Sequence, residues 1–150
     1  MEISINSLSK KYKGNKFGLK NIRLELTNGV IGLIGPNGAG KSTLMRILAT
    51  ISRPSEGNVL LNGVDIVKSP ESVRSQLGYL PQDFGVYDNL SAREFLEYIA
   101  AIKGFSGNEM KVRIIALLEE LNLGPVQNRA IGTYSGGMKQ RVGIAQVLLG

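Results

Sequence analysis

Neither cysteine nor histidine occurs anywhere in the chain. Without cysteine there is no disulfide and no thiolate metal site. Without histidine the commonest general base and metal ligand is missing as well. Any catalysis must therefore rest on carboxylates, amides, lysine or a metal held by oxygen. No apolar run approaches the length needed to cross a bilayer. The N-terminus carries Glu2 and lacks the apolar stretch of a secretory signal. These absences predict a chain that is soluble or peripheral to a membrane.

What is present points to a compact α/β protein. The 150 residues suffice for one domain with a core. Glycine is frequent, at 19 residues, which suggests tight loops or a loop that lets a ligand touch the backbone. The formal net charge is +6, and Lys10, Lys11, Lys13, Lys16, Lys20 and Arg23 crowd near the start. Such a cluster can attract an anion, but a lysine-covered antiparallel sheet explains it as well. No aromatic-and-basic RNA-reading pattern accompanies it, so no nucleic-acid partner is expected.

The order of elements is strands first, helices afterwards. Ile3, Ile5 and Leu8 open a strand, and Ile22, Leu24 and Leu26 alternate with polar residues. The apolar run 30–34, after the turn at Asn28-Gly29, predicts a strand buried on both faces, as in a parallel sheet. Residues 58–66 predict a hairpin turning at Asn62-Gly63. Residues 77–80 predict another short strand, stopped by Pro81. Ser91 and Glu94 form a capping box for a helix over 92–102 with Phe95, Ile99 and Ile102 on one face. Asn108 is a candidate cap for a helix over 109–121, striped by Met110, Ile114, Leu117, Leu118 and Leu121 and ended by Gly124. A last helix should start near Ser135 and run through Leu148.

Gly35-Pro36-Asn37-Gly38-Ala39-Gly40-Lys41-Ser42 matches the Walker A pattern, and Thr43 extends it. Each part has a physical task. Gly35, Gly38 and Gly40 permit backbone angles that a side chain would forbid. Successive N–H groups can then line a nest for phosphate oxygens, at the positive end of the helix that follows. Lys41 reaches the β- and γ-phosphates, and Ser42 offers a hydroxyl to Mg²⁺.

A second motif, Tyr134-Ser135-Gly136-Gly137-Met138-Lys139-Gln140-Arg141, resembles the signature motif of ATP-binding-cassette (ABC) ATPases, with Tyr134 where that family usually has Leu. On its own, Ser-Gly-Gly is a Ser helix cap followed by two flexible residues. Beside the phosphate loop it identifies the chain as resembling an ABC transporter ATP-binding subunit over essentially its whole length. The resemblance implies a P-loop NTPase (RecA-like) core with an antiparallel β subdomain and a helical subdomain. As one ABC ATPase domain, residues 1–34 and 57–81 would be mostly strands, 35–49 the phosphate loop and helix, 88–134 the helical lobe, and 135–150 the signature motif and its helix.

The resemblance also implies roles. Gln82 matches the glutamine that touches Mg²⁺ and positions the attacking water, and an amide does both without taking a proton. Tyr12 resembles the aromatic that stacks on adenine. Ser135, Gly136 and Gly137 would face the ATP of a second, head-to-tail ABC ATPase subunit. Transmembrane permease subunits are the further partners, with the protein peripheral on the cytoplasmic face of the cell membrane. The segments around Gly78-Tyr79-Leu80-Pro81-Gln82 and Asp88-Asn89-Leu90-Ser91 look like bacterial exporter-type subunits. The alternatives are a soluble ABC ATPase of translation or DNA repair, or another P-loop class. The family's Walker B strand, with its Mg²⁺-supporting Asp and catalytic Glu, would begin just after Gly150. The chain thus reads as an N-terminal fragment, incomplete at the C-terminus and expected not to hydrolyse ATP by itself.

Overall fold

The computed structural model describes residues 1–149. The chain, read from sequence as one domain, forms two compact units, Met1–Leu77 and Gly78–Gly150. Each has its own hydrophobic core, and neither core draws a buried residue from the other unit.

The first unit is an antiparallel sheet carrying a helix. Strands β1 (Ile3–Lys11), β2 (Phe17–Leu26), β3 (Glu56–Leu61) and β4 (Val64–Asp65) lie in the order β2-β1-β3-β4. In this register Ile5 stands opposite Leu24 on one side and Val59 on the other. Ile5, Leu8, Leu19 and Val59 are buried in one core with Leu44 and Ile47 of helix α1 (Lys41–Leu48). The predicted hairpin forms: Asn62 (φ 48°) and Gly63 (φ 81°) make the two-residue turn between β3 and β4. Lys10, Lys11 and Lys20 lie on β1 and β2, with Lys11 and Lys20 flanking the exposed ring of Phe17 at 5.6 and 5.5 Å.

Two predicted strands do not form. Residues 30–34 are irregular, and Val30 and Ile34 are fully exposed. Residues 77–80 are irregular too. A strand needs a neighbour for its N–H and C=O groups, and the sheet among the described residues holds β1 to β4 alone. Nor is 57–81 mostly strand: after β4 it contains a short helix, α2 (Glu71–Arg74), with no clear sequence signal.

The second unit is helical. Helices α3 (Ala92–Ile102), α4 (Asn108–Glu120) and α5 (Gly136–Leu148) share one core around Phe95, Leu96, Ile114, Leu118 and Val142. The signature helix therefore packs within the helical lobe rather than standing apart from it. The capping box is present: Ser91 Oγ accepts from the Glu94 N–H at 3.2 Å, and Glu94 Oε2 accepts from the Ser91 N–H at 2.8 Å. The buried face of α3 is Ala92, Phe95, Leu96 and Ala100. Ile102, seven residues after Phe95 and the last residue of the helix, is exposed. The α4 stripe is buried or half-buried as expected. Its ends differ from expectation. Asn108 is inside the helix behind Gly107 and caps nothing. The stop is Asn122 (φ 55°), with Leu123 N–H on Leu118 O at 2.7 Å and Asn122 N–H on Glu119 O at 2.9 Å, a Schellman closure two residues before Gly124.

Candidate functional site

Residues 35–43 form a turn that feeds straight into α1. Ala39 N–H donates to Pro36 O at 3.2 Å, and Gly38 (φ 84°) and Gly40 (φ 93°) take left-handed angles. Gly40 is constrained twice. Besides its angle, an added Cβ would stand 2.3 Å from Gly18 O on β2. The loop thus passes against the sheet with no room for a side chain. Lys41 folds back over it, and its Nζ donates to Gly35 O at 2.6 Å and Pro36 O at 2.8 Å. The ammonium is held inside the loop, at the positive end of a helix anchored by Leu44 and Ile47. Ser42 is exposed and Thr43 half-buried in the first turn. A curled loop with a central cation and a helix N-terminus fits a polyphosphate.

Tyr12, distant in sequence, comes to the same place. Its hydroxyl lies 3.3 Å from Thr43 Oγ1, and its ring stays half exposed. Lys10 Nζ, fixed on Arg53 O at 2.6 Å, stands 5.7 Å from the ring centroid. Sequence reasoning paired Tyr12 with the loop by resemblance but missed the hydroxyl contact, which no residue pattern announces.

The second unit carries the remaining candidates. Gln82 sits in an exposed bend. Ser135 caps α5, accepting from Met138 N–H at 3.3 Å. Gly136 and Gly137 open that helix, exposed, and an added Cβ at either would meet nothing within 4 Å. Tyr134 is buried, and its hydroxyl donates to Val126 O at 2.6 Å. Burial raises its pKa above the ordinary tyrosine value, against a smaller lowering by Arg129. It anchors the segment both by its burial and by that hydrogen bond. Lys139 reaches Asp88 at 2.8 Å, a link that sequence reasoning did not anticipate. Nearby, Tyr87, Phe95, Tyr98, Ile99 and Ile102 line a cavity of about 370 Å³.

Residues 19–150 match the family described as ABC transporter. The chain belongs to the ABC transporter family. It is 39% identical over 150 residues to the probable multidrug ABC transporter ATP-binding protein YbhF of Escherichia coli, covering 99% of this chain but 26% of that protein. To the ABC transporter ATP-binding protein NatA of Bacillus subtilis it is 35% identical over 152 residues, covering 98% of this chain and 62% of NatA. The chain thus spans less than two thirds of either relative. Among solved structures it resembles a dimeric post-hydrolysis state of the cassette MJ0796 bound to ADP and Pi, with a TM-score of 0.81 at 29% identity, covering 98% of this chain and 69% of that one. The ATP binding subunit of an ABC transporter gives 0.72 at 30% identity, covering 99% and 62%. The fold is thus that of an ABC ATPase cassette, a P-loop NTPase, here with an antiparallel sheet and helices.

Proposed function

We propose that this chain binds Mg-ATP as part of the nucleotide-binding subunit of a membrane transporter, with its two units as lobes of one ABC ATPase domain. The observation that carries the reading is the Lys41 ammonium held at 2.6 and 2.8 Å between two carbonyls of a glycine loop opening a helix. A β- or γ-phosphate would compete for that ammonium, while the loop N–H groups and the hydroxyls of Ser42 and Thr43 complete the donor set. The Tyr12 ring would take the adenine by stacking. Ser42 and Gln82 are oxygen donors of the hard kind that suits Mg²⁺. When bound, the ion would neutralise charge on the phosphates.

Hydrolysis in the intact protein, its coupling to transport and the exporter direction extend this reading. Gln82 positions water but is an amide and takes no proton near neutral pH. The glycines of the signature motif lie open, which suits the ATP of a second, head-to-tail subunit. The aromatic cavity beside Tyr87 suits an apolar segment of a transmembrane permease subunit. Those partners would keep the protein peripheral, on the cytoplasmic face of the membrane.

The decisive experiment is Lys41→Ala. Titration calorimetry with Mg-ATP should show a loss of about 2–4 kcal/mol, the scale of a charge-assisted contact removed. Unchanged affinity would remove Lys41 from the site and the reading with it.

A further inference from the structure

Tyr12 has two chemically distinct parts. Its ring face is what stacking on a base requires, and that role needs no hydroxyl. Yet the hydroxyl is directed at Thr43 Oγ1, 3.3 Å away, in the first turn of α1. The position is built rather than incidental. Gly18 leaves the space for it: an added Cβ there would stand 2.6 Å from Tyr12 Cε2 and 3.2 Å from Thr43 Oγ1. Backbone pairing holds Tyr12 as well, its N–H donating to Lys16 O at 2.8 Å where the hairpin closes. Lys10, tied to Arg53 O, stands over the ring.

A threonine hydroxyl has one proton to give and two lone pairs to receive. A phosphate oxygen beside Thr43 can only accept. The anion would therefore orient the pair: Thr43 donates to phosphate and Tyr12 donates to Thr43. In such a chain each hydrogen bond polarises the next. Resting on the reading of residues 35–43 as a phosphate site, we propose that the Tyr12 hydroxyl is a positioning group for phosphate binding, acting through Thr43. Tyr12 thereby joins the base side and the phosphate side of the site in one residue.

The test uses a ligand with no base. Inorganic tripolyphosphate with Mg²⁺ cannot stack, so a residue that only stacks is silent toward it. In the intact protein, Tyr12→Phe keeps the ring and should weaken Mg-tripolyphosphate binding about three- to tenfold, the scale of one net hydrogen bond. Thr43→Val removes the relay, and adding Tyr12→Phe to it should cost nothing further. Equal affinity of wild type and Tyr12→Phe for tripolyphosphate would overturn the proposal while leaving the nucleotide reading intact. So would a Tyr12→Phe loss that persists in the Thr43→Val background. A wild-type protein that binds neither Mg-ATP nor Mg-tripolyphosphate would defeat the nucleotide reading itself, and this inference with it. Thermal unfolding of Tyr12→Phe should match wild type, since the ring is half exposed and its apolar contacts are kept.

Discussion

At the scale of single residues, the phosphate loop contains glycines of two kinds. Gly38 is left-handed at 84°, but an added Cβ would meet nothing within 4 Å. Gly40 combines its left-handed angle of 93° with a backbone oxygen 2.3 Å from any Cβ. An alanine at Gly40 must either strain its own backbone or push the loop off β2, and both moves displace Lys41. Gly40→Ala should therefore destabilise the first unit by about 1–3 kcal/mol, read by urea unfolding, and weaken Mg-ATP binding in calorimetry. Gly38→Ala should carry the angular strain alone. Equal stability of Gly40→Ala and wild type would mean that the loop does not rest on Gly18. The motif pattern marked both positions without distinguishing them, because the distinction lies in β2, more than twenty residues away in sequence.

Elements were legible where their signals were local. The Asn62-Gly63 hairpin and the Ser91–Glu94 box depend on a few neighbouring residues whose chemistry admits little else, and both formed. The strands expected at 30–34 and 77–80 depend on pairing partners, which apolar composition cannot supply, and neither formed. Helix ends fell between these cases. Asn122 rather than Gly124 closes α4, and Thr50 closes α1 at a left-handed 59°, an angle unusual for a β-branched residue. Thr50 is held there partly by Arg74 of α2, whose Nε donates to Thr50 Oγ1 at 2.9 Å. For α3 the capping box sets a pH dependence. The Ser91 N–H, and then its hydroxyl, hold the Glu94 carboxyl below its ordinary pKa. A depressed folded-state pKa contributes stability that is present above the unfolded value and lost as pH falls through the folded one. The cap should thus support α3 at neutral pH and weaken in acid, from the ordinary carboxylate range downward. Ser91→Ala should cost about 1 kcal/mol at pH 7, and the gap between it and wild type should narrow in acid. Denaturant midpoints measured at several pH values would show this, and a pH-independent gap would exclude a role for the bond from the Ser91 hydroxyl to the Glu94 carboxylate, the backbone N–H bond being kept in the variant.

At the scale of the whole molecule, the informative feature is a pair of residues that the chain's own fold does not need. Gly136 and Gly137 begin α5 with ordinary helical angles, neither being among the positive-φ glycines, and an added Cβ at either meets nothing. Glycine inside a helix loses backbone entropy on folding for no local return. Alanine at Gly137 should therefore stabilise the second unit by about 0.4–1 kcal/mol. The proposed reading gives the missing reason: bare backbone N–H groups beside the Ser135 cap leave room for the phosphates of an ATP held by a second subunit. A methyl group there would stand between donor and anion. Gly137→Ala should then unfold at the same or a higher temperature and keep Mg-ATP affinity in the separate subunit, because residues 35–43 lie in the other unit. It should nonetheless lose ATP-dependent dimerisation, measured by sedimentation velocity with and without Mg-ATP in a background that does not turn over. Dimerisation equal to wild type would place the second subunit's nucleotide elsewhere. A variant less stable than wild type would show instead that the glycine serves the fold, through a contact absent from α5 as described.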